Sequence, residues 1–256
     1  MRVSPYIGVS GFMSANEVRA VLAVFPDCGR QLMVGVLASS KTVFGAGNSK
    51  PRRYPKPDDI ASIFIDDPRC LNLVHYGADD DHDLMSILDG VMNIGGTTCH
   101  GVQVNVAWPN PKALRLFRYH NQAARIVLQI GPKCLQSWEN AYEASERLAS
   151  YKDVITDVLI DTSGGRGIGL DTAVLNVRWF IEACYKHLPR IGVGIAGALC
   201  AANLQHGTVA YELLSYYGML STDAEGKIRD DADQGGNLSI DKTAAYSRSV
   251  ARLVPK

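Results

Sequence analysis

The chain has 256 residues, of which 46% are hydrophobic, with 26 basic and 26 acidic side chains and a formal net charge of zero. That length is enough for a sizeable core, as one α/β barrel or as two small domains. Balanced charge gives no global field for nucleic acid or an anionic membrane. With no apolar run of about 18 residues and no signal-like start, a soluble, cytoplasmic protein is expected.

Pro5–Gly11 reads as a first strand, and Ser14–Phe25 follows with helical periodicity, Ser14 and Glu17 having the spacing of a capping box. Arg30–Ser39 is a second apolar strand. A long loop at about 41–57 comes next, too rich in Gly and Pro to be regular. Asp58–Asp66 is a short helix. Leu71–Gly77 is strand three with Asp81–Asn93 as its helix, and Gly101–Pro109 is strand four with Pro111–Ala123 after it. Ala124–Gly131 is strand five, followed by one long helical stretch over Cys134–Tyr151. Val158–Asp161 is strand six, and Thr172–Leu188 is its helix, capped by Asp171 or Thr172. Arg190–Ala198 is strand seven, with a short helix from Asn203 onward. Tyr217–Asp223 is strand eight, a variable loop covers about 224–238, and Asp241–Val254 is a final amphipathic helix.

Strand and helix alternate eight times, and the strands are apolar and branched, as for burial on both faces. The fold class expected is α/β, a single-domain (β/α)8 TIM barrel over residues 1–256. An open, doubly wound sheet is the competing architecture. The first turn, from Gly8 to Ser14, lacks the G-x-G-x-x-G of a dinucleotide-binding unit. The six cysteines, Cys28, Cys70, Cys99, Cys134, Cys184 and Cys200, form no C-x-x-C pair and suit reduced thiols. Cys99 beside His100 is a weak zinc candidate, and the acids at 79–83 fit a helix N-terminus better than a hard metal. No cofactor, metal, nucleic acid or membrane partner is expected, and oligomeric state is not legible.

In such a barrel the site is built from the carboxyl ends of the strands. The polar residues there are Ser10, Arg52 and Arg53, His75 and Asp79, Asn105 and Trp108, Gln129 and Lys133, and Asp161. The last two strands offer small residues at 194–197 and 221–226. Loops after strands seven and eight commonly hold a phosphate on backbone N–H groups. Asp161 ends a buried strand and precedes four closely spaced glycines, Gly164, Gly165, Gly167 and Gly169, which permit sharp turns and close approach to a ligand.

Four segments also match known motifs in order along nearly the whole chain: YIGVSGF to K-I-C-G-I, NSKPRRYPKPDDIASI to S-P-R-Y-[IV]-[ST]-P-E-x-A, VLIDTSGGRGIGLD to [FL]-L-[LV]-D followed by G-G-[TS]-G-x-x-F-D-W, and IAGAL with LSTDAEGKIRD to L-A-G-G-L and D-x-S-S-G-V-E. On these the sequence resembles phosphoribosylanthranilate isomerase, a barrel enzyme of tryptophan synthesis. The resemblance implies an Amadori rearrangement of a phosphorylated aminoaldose to an aminoketose, with Asp161 as general acid and Arg53 on a substrate carboxylate. Gly165, Gly197, Ser221 and Thr222 then lie where phosphate is approached or bound. The base position is Ser10 in place of the family's cysteine. Met219, Ala198, Leu170 and Thr172 also depart from the pattern. Cys134, His75 and Asp79 are the alternative bases. A phosphate-binding barrel with another reaction, or a binder of a phosphorylated small molecule without turnover, are the alternative functions.

Overall fold

The computed structural model describes residues 3–45, 52–136, 141–163, 169–170, 174–231 and 236–255. Eight parallel strands close on themselves in sequence order. They are β1 (Tyr6–Ser10), β2 (Gln31–Ser39), β3 (Cys70–Gly77), β4 (Gly101–Asn105), β5 (Arg125–Ile130), β6 (Asp157–Asp161), β7 (Gly192–Ala196) and β8 (Ser221–Ala224). β8 returns to β1 with Gly8 opposite Asp223, which closes the ring. The expected (β/α)8 barrel is thus the fold.

The helices are α1 (Ala15–Val24), α2 (Ser40–Val43), α3 (Pro57–Ile63), α4 (Leu84–Gly95), α5 (Pro111–His120), α6 (Pro132–Gln136), α7 (Ala141–Ser150), α8 (Val174–His187), α9 (Val209–Tyr217) and α10 (Ile240–Leu253). Outward-facing strand residues such as Val34, Val74, Val102, Ile126, Val158 and Ile195 are buried against the helix layer. Burial on both faces follows, because in an all-parallel barrel the helices cover the outside and side chains fill the inside.

Three local expectations need correction. The start of the 41–57 loop is regular: Ser39 and Thr42 form a reciprocal capping box that starts α2. Of the helical stretch expected at 134–151, α6 and α7 are helical, and 137–140 lie outside the described residues. At α1, Ser14 Oγ accepts from the Glu17 N–H at 3.3 Å, but the Glu17 carboxylate reaches one residue further back, to the Met13 N–H at 2.7 Å. After β7 there is a single 3-10 turn over Ala201–Asn203 before α9. The expected caps Asp171 and Thr172 lie outside the described residues.

Inside the barrel, alternation stacks inward side chains in three tiers. β5 contributes Arg125, Val127 and Gln129 from bottom to top, and β6 contributes Asp157, Leu159 and Asp161. The bottom tier is ionic. Arg125 donates to both oxygens of Asp157 at 2.8 and 2.7 Å and to the Ser4 carbonyl at 2.9 Å, with its guanidinium 5.4 Å from the Tyr6 ring centre. The middle tier is apolar, with Met33, Leu73, Val127 and Leu159 in one cluster. That plug separates the ionic floor from the polar mouth.

Candidate functional site

The top tier of inward residues forms one hydrogen-bonded chain across the mouth. Ser10 Oγ donates toward both oxygens of Asp223, at 2.9 and 3.1 Å. Gln103 Nε2 lies 3.2 Å from Asp223 Oδ2, 3.2 Å from Gln129 Oε1 and 3.3 Å from His75 Nδ1. Gln129 Nε2 donates to Asp161 Oδ2 at 2.8 Å, and Ser163 gives its N–H and hydroxyl to Asp161 Oδ1 at 2.8 and 2.9 Å. Ser10, Gln103, Gln129, Asp161 and Asp223 are all buried.

Asp161 thus stands where expected, at the carboxyl end of β6. Among the described residues its hydrogen bonds all come from donors, Gln129 and Ser163. Asp223 has a different environment. Burial pushes its carboxyl up to about 7, against the hydrogen bonds from Gln103 and Ser10, and the charges of Glu225 and Asp161 add to the rise. Its proton exchange is thereby moved toward neutral pH. Burial also pulls His75 down to about 4, which the Asp161 carboxylate only partly offsets, so His75 is neutral.

Gln103 couples these groups. Its amide nitrogen has two hydrogens for three neighbours, Asp223 Oδ2, Gln129 Oε1 and His75 Nδ1, the last an acceptor in one tautomer only. Sequence reasoning missed both Asp223 and Gln103 as individual residues. In GVQVN the signal was a glutamine between two valines; in STDA three polar residues adjoin, and no local pattern singles out Asp223.

Ser10, expected as a catalytic replacement for cysteine, stands at the mouth at the end of β1, its hydroxyl donating to Asp223. Gly35 makes room for it: a Cβ on Gly35 would lie 2.5 Å from Ser10 Oγ. The other candidate bases are also accounted for. Cys134 is buried with its thiol pushed up by burial. Asp79 is exposed at the rim, where the 2.9 Å bond from Lys133 holds its carboxyl below the usual range. His100 Nδ1 accepts from the Asn72 N–H at 2.8 Å, so it is not free for zinc. Among the described residues, no group of three potential metal ligands occurs and no helix is long and apolar enough to cross a membrane.

The expected phosphate residues separate. Gly165 lies outside the described residues. Gly197 is at the mouth, at the end of β7, where Gly197 and Ala198 take positive φ values of 128° and 52° in succession. A left-handed alanine is strained by about 1–2 kcal/mol. Asn203 holds the turn, accepting from the Cys200 N–H at 2.9 Å and donating to the Ala198 carbonyl at 2.8 Å. Ser221 and Thr222 do not present hydroxyls to the mouth. Ser221 begins β8, low in the barrel, and accepts from the Tyr6 N–H at 3.1 Å. Thr222 faces outward and accepts from the Tyr246 hydroxyl of α10 at 2.7 Å. Alternation along β8 gives the mouth to Asp223 instead.

Arg53 is buried beside the mouth and ion-paired through Nη2 with Glu225 of the loop after β8. Its Nε has no partner among the described residues, and neither has Arg229 Nε. Arg229 is also fully buried, its other nitrogens donating to the carbonyls of Gly11 at 2.6 Å, Ser10 at 3.3 Å and Gly236 at 2.9 Å.

No protein-family model and no curated protein matches the chain. Solved structures do match, at low identity. A phosphoribosyl anthranilate isomerase from Thermus thermophilus is 14% identical with a TM-score of 0.62, covering 97% of this chain and 99% of its own. The N-(5'-phosphoribosyl)anthranilate isomerase of Pyrococcus furiosus is 16% identical with a TM-score of 0.59, at 97% and 99% coverage. A tryptophan synthase subunit alpha from Legionella pneumophila is 9% identical with a TM-score of 0.57, at 99% and 92% coverage. At these identities the likeness is one of fold: this chain is a (β/α)8 barrel.

Proposed function

We propose that the protein is an isomerase of a phosphorylated sugar derivative, of the aldose–ketose type carried out by N-(5'-phosphoribosyl)anthranilate isomerases. The observation that carries this reading is the pair of buried carboxylates, Asp161 and Asp223, linked across the mouth through Gln103 and Gln129. An Amadori rearrangement needs a proton given to the ring oxygen, which opens the ring to an imine. It then needs the proton taken from C2, which gives an enol that becomes the ketone. Two carboxyls in unlike environments divide such work.

The resemblance places the acid at Asp161. The environments favour the opposite division: Asp223, protonated below about pH 7, gives the proton, and Asp161, surrounded by donors, receives the one from C2. Ser10 positions Asp223. Arg53 faces the substrate's anionic aglycone, and the turn at Gly197 faces its phosphate.

Loss of the substrate's fluorescence on incubation with N-(5'-phosphoribosyl)anthranilate tests this reading. The native protein is expected to turn it over, with Asp161→Asn slower by about 10²–10⁴-fold but still binding substrate. In the native protein kcat/KM is expected to fall as pH rises through about 7, as the Asp223 acid form is lost. A fall on the acid side of 7 instead would make Asp223 the acceptor and return Asp161 to the donor role. No turnover by the native protein would remove this substrate and leave a barrel with another reaction, or a binder.

A further inference from the structure

We propose that Glu225 is a placeholder for the ligand's oxyanion at Arg53, and so a specificity-determining residue of the mouth. This inference rests on the reading of the mouth as a substrate site.

Arg53 presents its Nε and Nη2 on one edge of the guanidinium. Glu225 engages the Nη2 alone and leaves the buried Nε without a partner among the described residues. A free carboxylate or a phosphate oxygen pair takes both N–H groups of such an edge in parallel, the stronger geometry for a guanidinium. The pair is also unequal in freedom. The Arg53 side chain is 9% exposed and that of Glu225 24%, so Glu225 is the member able to swing into solvent.

The surrounding charge favours such an exchange. Arg229 is fixed by three backbone carbonyls, and its own Nε is unpartnered. The charges of Glu225, Arg53 and Glu17 all act on it. Glu17 is held in place by the Met13 N–H. When Glu225 leaves, Arg53 loses its counter-charge, and an incoming oxyanion restores it. A ligand without an oxyanion leaves the buried guanidinium unpaired and is rejected.

The test is calorimetric binding of benzoate and of inorganic phosphate to native protein, Glu225→Gln and Arg53→Gln. With its competitor removed, Glu225→Gln is expected to bind benzoate about tenfold more tightly than native protein, and Arg53→Gln not at all. A gain for phosphate in place of benzoate keeps the placeholder role and makes a phosphate group the natural occupant. Unchanged or weaker binding of both anions to Glu225→Gln would overturn the proposal and make the ion pair a tether between two loops. Should Glu225→Gln fail to fold, the Arg53 Nε–H resonance of native protein, assigned by its loss in Arg53→Gln, is followed instead. It is expected to shift on benzoate or phosphate addition, and no shift with either would overturn the proposal. Neither measurement depends on turnover. Tighter anion binding without isomerisation would retain this subsite and discard the isomerase reading.

Discussion

Asp223→Asn is expected to lower turnover by about 10²–10⁴-fold and, in the same protein, to raise stability at alkaline pH. The rate falls because Asn has no proton to exchange with substrate. The stability rises because the native carboxyl is held at about 7 in the fold against 3.8 as its ordinary value. Between those values the native state keeps a proton that the unfolded chain has released. Stability therefore falls as pH rises from about 4 to about 7, and the loss is complete above 7. Asn stays neutral and fits the same contacts, its oxygen accepting from Gln103 and its amide donating to Ser10. Urea unfolding of both proteins should show the variant gaining on the native by about 2–3 kcal/mol between pH 5 and pH 8. A constant difference across that range would mean that Asp223 is ionised throughout.

Asp157→Asn, at the other end of the barrel, is expected to destabilise by about 3–5 kcal/mol. Arg125 and Asp157 are both buried, and in the variant the guanidinium loses its counter-charge and faces an amide NH2 where it had a second acceptor. Breaking a buried pair is far more costly than replacing it, so Arg125→Met with Asp157→Leu should recover most of the loss. Turnover per folded molecule should not change in either variant, since the apolar tier of Met33, Leu73, Val127 and Leu159 lies between floor and mouth. Urea midpoints, read beside specific activity, check both statements.

The two ends of the barrel were unequally legible in the sequence. Strand positions followed from apolar runs with clear turn signals, so the eight-fold alternation was visible. Asp161 was visible because it terminates such a run and precedes glycines. Asp223 was harder to see: it follows Ser221 and Thr222, whose hydroxyls suggested phosphate. Only the β8 register tells that Thr222 faces α10 while Asp223 faces in. Gln103, Arg125 and Asp157 look like isolated polar residues in apolar strands. They acquire meaning when closure brings β4, β5, β6 and β8 around one axis. Ser10 was found by position, but its role depends on a partner 213 residues away. The Arg53–Glu225 contact likewise joins two loops that no local pattern connects.

The proposed proton transfers require a carboxyl at the mouth that exchanges its proton near neutral pH. Carbon-13 NMR titration of aspartate carboxyls, in native protein and in Asp223→Asn, tests it without any substrate. One native resonance is predicted to titrate with a midpoint near 7 and to be missing from the variant. If every aspartate in the native protein has ionised by about pH 5, Asp223 holds no such proton and is a buried structural acceptor for Ser10 and Gln103.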